Sequence, residues 1–124
     1  MTYKLITAPS VEPVTLAEAK LHLRVDDNAD DTRITAMIVA ARHRAEQLTN
    51  RLFGTQTWEL VLDAFPPEFT VHNAPLTAVT TIKYLDATGT EQTLSSAAYV
   101  VDADNLPARI TLAEGYTWPE TKAI

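Results

Sequence analysis

The chain has no cysteine, only three glycines among 124 residues, and no apolar run of membrane-spanning length. Without cysteine there are no disulfides, thiolate metal sites or cysteine nucleophiles. Three scattered glycines cannot build a phosphate-cradling loop, and neither G-x-x-x-x-G-K-[ST] nor G-x-G-x-x-G occurs. No G-x-S-x-G surrounds Ser10, Ser95 or Ser96. A spanning helix takes about 20 consecutive apolar residues, and nothing here approaches that. No charged segment followed by an apolar run opens the chain, so no secretory signal is read and synthesis as a soluble cytosolic protein is expected. Positive charge is also scarce: ten Lys and Arg face sixteen Asp and Glu, a formal net charge of −6. A general nucleic-acid binder shows a basic face, and this balance argues against one.

What is present describes a single domain with a core: 46% apolar and 21% charged residues. The longest periodic stretch, residues 30–52, sets Ile34, Met37, Ile38, Ala41, Ala45, Leu48 and Leu52 at steps of three and four. That spacing predicts one long amphipathic helix with those side chains facing inward. Asp30 or Asp31 is placed to cap its start, and Gly54 to close it in the left-handed conformation. Before it, Thr15 and Glu18 form a T-x-x-E capping box that opens a first helix with Leu16, Ala19 and Leu23 as its stripe. Tyr3, Leu5, Pro9 and Pro13 suggest an extended arm ahead of it. Between the helices, Asp26, Asn28 and Asp30 imitate the opening of a calcium loop. Asp31 and Met37 then stand where glycine and a bidentate glutamate are required, so the segment reads as a solvated loop.

After Gly54 the period changes to two. Trp58, Leu60 and Leu62 alternate with Glu59 and Asp63, which predicts a half-buried strand over 57–63. Further short strands are expected over 69–72, 79–85, 91–94, 99–101 and 109–112, with Asp86-Ala87-Thr88-Gly89 as a hairpin loop. The expected fold is therefore α+β: a two-helix unit (about 15–25 and 30–53) followed by about six short strands. Residues 1–124 form one domain, helical over 1–54 and β-rich over 55–124. The run Lys122-Ala123-Ile124 looks like a strand begun and not completed, so the chain reads as C-terminally truncated.

Catalytic chemistry finds no anchor. His22, His43 and His72 are far apart without ligand spacing and read as structural or solvated. Glu59, Asp63, Asp86, Glu91, Asp102, Asp104 and Glu114 allow a hydrolase with paired carboxylates only if two of them converge in space, and solvated strand edges explain them more simply. The expectation is no enzyme, no cofactor and no metal. Arg33, Arg42, Arg44 and Arg51 give the long helix a positive balance. They are candidate protein-interaction residues, since arginine is favoured at interfaces. The plainer alternative is a solvated face with local pairs such as Arg42 to Glu46. Trp118 lacks a partner pattern and is the remaining interaction candidate, core and interface being equally open to it.

The order of several short motifs resembles a known family. Val14-Thr15-Leu16 with Glu18-Ala19-Lys20, Leu23-Arg24-Val25-Asp26, Ala45-Glu46, Thr49 with Arg51, and Gln56-Thr57-Trp58 are similar to the opening of tailed-phage head–tail connector (adaptor or head-completion) proteins. Ala74-Pro75-Leu76, Ile82 with Tyr84 and Asp86, Tyr99-Val100-Val101-Asp102 and Pro107-Ala108-Arg109-Ile110 resemble the β-rich insertion of one branch. The resemblance implies a structural virion protein of phages and prophages. Its copies would form a homo-oligomeric ring in the neck, between the portal protein and the tail or stopper proteins, with helices carrying the ring. DNA would pass through the channel without sequence-specific binding, and an acidic wall suits that passage. The protein would reside in host cytoplasm before assembly and contact no membrane. Two departures stand out: the family's C-terminal helices are missing, and Asn50-Arg51 replaces a frequent glycine-arginine. The alternative reading is a small non-enzymatic binding module whose β-rich region, with Tyr84 and Tyr99, is the partner surface.

Overall fold

The computed structural model describes residues 1–122. Strand β1 (Thr2–Thr7) precedes helices α1 (Leu16–Leu23) and α2 (Asp31–Thr49). Then follow β2 (Thr57–Val61), β3 (Glu68–Val71), β4 (Ile82–Leu85), β5 (Glu91–Leu94), β6 (Tyr99–Asp102) and β7 (Ala108–Leu112). The α+β expectation holds, with one addition: the N-terminal arm is itself a strand and pairs with β2. By internal packing the chain divides into Leu5–Trp58 and a unit made of Met1–Lys4 with Glu59–Ile124. Of the suggested terminal strand, Lys122 donates its backbone N–H to the Leu85 carbonyl at 3.1 Å. Its other two residues lie outside the described residues.

In the helical unit, α1 starts where its capping box says it should. The Thr15 backbone N–H donates to Glu18 Oε2 at 2.8 Å, and Glu18 N–H donates to Thr15 Oγ1 at 3.2 Å. The helix ends at Arg24, which takes the left-handed conformation (φ 56°). Its stripe is only partly inward, because Leu23 is 54% exposed.

Helix α2 departs from expectation in two ways. It stops at Thr49, three residues early, where Asn50 adopts the left-handed conformation (φ 51°). Asparagine tolerates that region better than other non-glycine residues. The Asn-for-Gly replacement is thus a helix stop rather than a change in helix propensity, and Gly54 lies beyond the cap. At the other end Asp30 occupies the cap position without a side-chain bond, and Asp31 pairs with Lys20 Nζ at 2.7 Å instead.

The second departure is the phase of the helix. Ile34 is buried, Ile38, Val39 and Ala45 are half-buried, and Arg42 and Glu46 are buried with them. Met37, Ala41 and Leu48, expected inside, are exposed.

The β-rich unit holds a three-stranded antiparallel sheet of order β3-β7-β6, with Phe69 opposite Ile110 and Val101 opposite Ile110 on the other side. Phe69, Ala74, Ala98, Ala108 and Ile110 form its buried core. Alternation along β7 buries Ala108 and Ile110 and exposes Arg109, as a strand with one packed face requires. Strands β4 and β5 form the expected hairpin, in register Ile82 to Leu94 and Leu85 to Glu91. Gly89 closes its loop at φ 85° and donates its N–H to the Asp86 carbonyl at 2.8 Å.

Candidate interaction surface

The five residues singled out by charge and exposure fall into three groups. Arg33, Arg44 and Arg51 are exposed and make no ion pair among the described residues. Arg42, by contrast, is 4% exposed and is not available to a partner. Its Nε donates to Glu12 Oε2 at 2.7 Å and its Nη1 to Glu46 Oε2 at 2.8 Å. Glu46 is also enclosed: its other oxygen accepts from the Phe53 backbone N–H at 2.9 Å and from Gln56 Nε2 at 2.6 Å. Gln56 Oε1 in turn accepts from Trp58 Nε1 at 3.2 Å. The cluster clamps the segment around Glu12, α2 and the loop after it onto one another. The i,i+4 spacing of Arg42 and Glu46 is visible in sequence. Glu12 and the burial are not, because nothing local announces a partner thirty residues away.

Trp118 is half-buried within the β-rich unit. It stacks on Phe65 at 4.9 Å with an interplanar angle of 7°, and meets Phe69 edge-on at 5.0 Å. Tyr84 approaches Phe65 edge-on at 5.8 Å. These rings make Trp118 a packing residue, and its buried Nε1 has no partner among the described residues. Tyr84 and Tyr99 are half-buried rather than displayed.

Three of the carboxylates named from the sequence are engaged locally. Asp86 is turned into its own loop, accepting from the Thr88 and Thr90 N–H groups at 2.9 and 3.0 Å and from Gln92 Nε2 at 3.1 Å. The hydrogen bonds from Thr88 and Gln92, before that from Thr90, hold its pKa down at about 2. Glu91 pairs with Lys83 Nζ at 2.8 Å, and Asp102 bonds Asn105. In the inter-helix loop, Asn28 Oδ1 and Asp31 both accept from Lys20, a cation already in place. No group of three His, Asp or Glu side chains with metal-holding geometry occurs among the described residues. Two shallow depressions of about 270 and 320 Å³ each contain one carboxylate, Glu12 and Glu68 respectively. Neither offers the two convergent acids that hydrolysis would need.

The feature that sequence reasoning missed is apolar. Met37 is 58% and Leu48 68% exposed on α2, between the exposed arginines. Both count as core residues when every apolar side chain at helical spacing is assigned to one stripe.

Comparison with known proteins points to one family. The family model described as phage gp6-like head–tail connector protein matches residues 13–113. Among solved structures, a chain in the neck of an empty gene transfer agent particle, computed with C6 symmetry, superposes with TM-score 0.81 at 25% identity, over 99% of this chain and 66% of that one. A chain of the virion of a native gene transfer agent particle matches with TM-score 0.68 at 23% identity, over 98% of this chain and 66% of that one. This chain therefore spans just under two-thirds of the length of the chains it matches. Comparison with curated proteins gives no match.

Proposed function

Because the chain belongs to the phage gp6-like head–tail connector family, we propose that it is a structural component of a virion neck, one copy of a ring set between the portal and the tail or stopper proteins. DNA would pass through the ring's channel, and the subunit would wait in the host cytoplasm before assembly. Likeness to a chain in a gene transfer agent neck supports that location. The observation that carries the reading is the apolar surface left uncovered. The helical unit has one buried apolar side chain, Ile34, while Val11, Leu21, Leu23, Met37 and Leu48 are all more than half exposed. An exposed apolar patch marks a surface that becomes covered in an assembly, and Met37 and Leu48 share one face of α2. Arg33, Arg44 and Arg51 lie on the surface and are contact residues in this reading; Arg42 and Trp118 support it from inside. Enzymatic activity forms no part of the role, which is scaffolding.

The test is co-sedimentation with portal rings encoded in the same genome, using this chain and any longer natural product. Binding by either form, in a saturable ratio, is the expected result. Absence of binding by both at high concentration would overturn the connector assignment and return the protein to the class of small binding modules.

A further inference from the structure

One face of α2 remains unexplained by the packing of its own unit. Arg33, Met37, Ala40, Arg44 and Leu48 are all exposed. At about 100° per residue they fall within an arc of roughly 80°, across the helix from Arg42 and Glu46. They run about 22 Å along the axis at 1.5 Å per residue. Arg33 and Arg44 make no ion pair among the described residues, and the two acids of the helix are committed elsewhere, Asp31 to Lys20 and Glu46 to Arg42. The face is therefore both apolar and positive, in a chain whose formal charge is −6.

The opposite character is concentrated in the β-rich unit. Residues 1–4 and 59–124 carry nine Asp and Glu against four Lys and Arg, a net of −5. Residues 5–58 carry seven against six, a net of −1. Within the β-rich unit the turn between β6 and β7 brings the two properties together. Asp102 holds it by accepting from the Asn105 backbone N–H at 3.4 Å and from the Asn105 side chain at 2.5 Å. Asp104 stays exposed and unpaired among the described residues, and Leu106 is 52% exposed. An acid two residues from an exposed leucine is the chemical counterpart of an arginine four residues from an exposed methionine or leucine.

We infer that the outer face of α2 docks the acidic β-rich unit of a second copy of this chain, with the turn carrying Asp104 and Leu106 as its counter-surface. The inference rests on the proposed ring and assigns its contact. Two different patches meet, so the contact is head-to-tail and propagates until the rotation closes. A face built to hold DNA phosphates would have no use for Met37 and Leu48 between its arginines. Apolar area supplies the holding energy; the charges set register and make the contact weaken with salt.

The absence of native cysteine makes the test direct. Ala40→Cys in one tagged preparation and Leu106→Cys in another are mixed, as full chains, both free and on portal rings, and oxidised. The expected product is a disulfide heterodimer bearing both tags, in excess over either homodimer. Arg33→Glu with Arg44→Glu in the Ala40→Cys chain should weaken pairing about tenfold, equivalent to about 1.4 kcal/mol. Asp104→Lys in the partner preparation should recover it, an outcome that misfolding would not produce. Heterodimer at background in both settings overturns the inference, as does a predominance of Ala40→Cys homodimer, which would mean helix against helix. Retention of short duplex DNA that is lost on the arginine reversals, with cross-linking unchanged, also overturns it in favour of a nucleic-acid face. The connector reading fails separately, by loss of portal co-sedimentation in the unmodified chain.

Discussion

Arg42 shows how much one residue's role depends on what surrounds it. Read along the sequence it is a surface arginine on a helix, with a glutamate four residues on; in the fold it is the centre of a buried cluster with Glu12 and Glu46. Removing one member of a buried ion pair strands the others, which typically costs about 3–5 kcal/mol. Arg42→Ala should destabilise the helical unit by that order, and Arg44→Ala, on the exposed side, by less than about 0.5 kcal/mol. Equilibrium urea unfolding followed at 222 nm separates the two; similar midpoints would contradict the buried placement. At Asp86 the prediction concerns pH. Its folded pKa of about 2 lies below the ordinary 3.8, so its contribution to the hairpin is fully present above about 3.8 and is lost as pH falls through about 2. NMR titration of the Asp86 carboxyl should give a midpoint near 2, moving up toward the ordinary value when Thr88 and Gln92 are replaced by alanine.

At the scale of elements, legibility followed how local the determining interaction is. The capping box before α1, the alternation in β2 and the Asp86–Gly89 loop are decided within a few residues, and each stands in the fold as its sequence predicts. Helix α2 lies where its periodicity predicts but turns a different face inward. Its apolar positions span more than one face, and the inward face contains Arg42 and Glu46, which any hydrophobic template scores as outward. Only tertiary pairing with Glu12, Phe53 and Gln56 makes that polar face the buried one. The candidate surface follows the same logic: its arginines are legible as charge, while Met37 and Leu48 match the apolar stripe of a core and are exposed. Two predictions belong here. Thr15→Ala removes the α1 cap and should cost about 1 kcal/mol, measured by thermal unfolding. Gly54→Ala should cost about 1–2 kcal/mol, since Gly54 sits at φ 80° and an added Cβ would lie 3.1 Å from Pro9 Cβ. An alanine variant as stable as the parent would show that the loop relaxes away from that geometry.

For the whole molecule, the division into two units gives each a tryptophan and a different kind of interior. Trp58 belongs to the helical unit and is wired through Gln56 to the Glu46–Arg42 cluster. Trp118 belongs to the β-rich unit and is packed among Phe65 and Phe69. The helical unit relies on one buried isoleucine and an ion cluster. That imbalance has a measurable consequence. With both tryptophans replaced biosynthetically by 5-fluorotryptophan, each unit reports its own unfolding by fluorine NMR without altering the sequence. In the Arg42→Ala variant the Trp58 resonance should pass to its unfolded position at lower urea than the Trp118 resonance. The stack on Phe65 contains no residue of the cluster, so Trp118 should keep close to its parental midpoint. If both resonances shifted together by the full amount, the two units would be one cooperative body. The ion cluster would then stabilise the β-rich half as strongly as the helices it clamps.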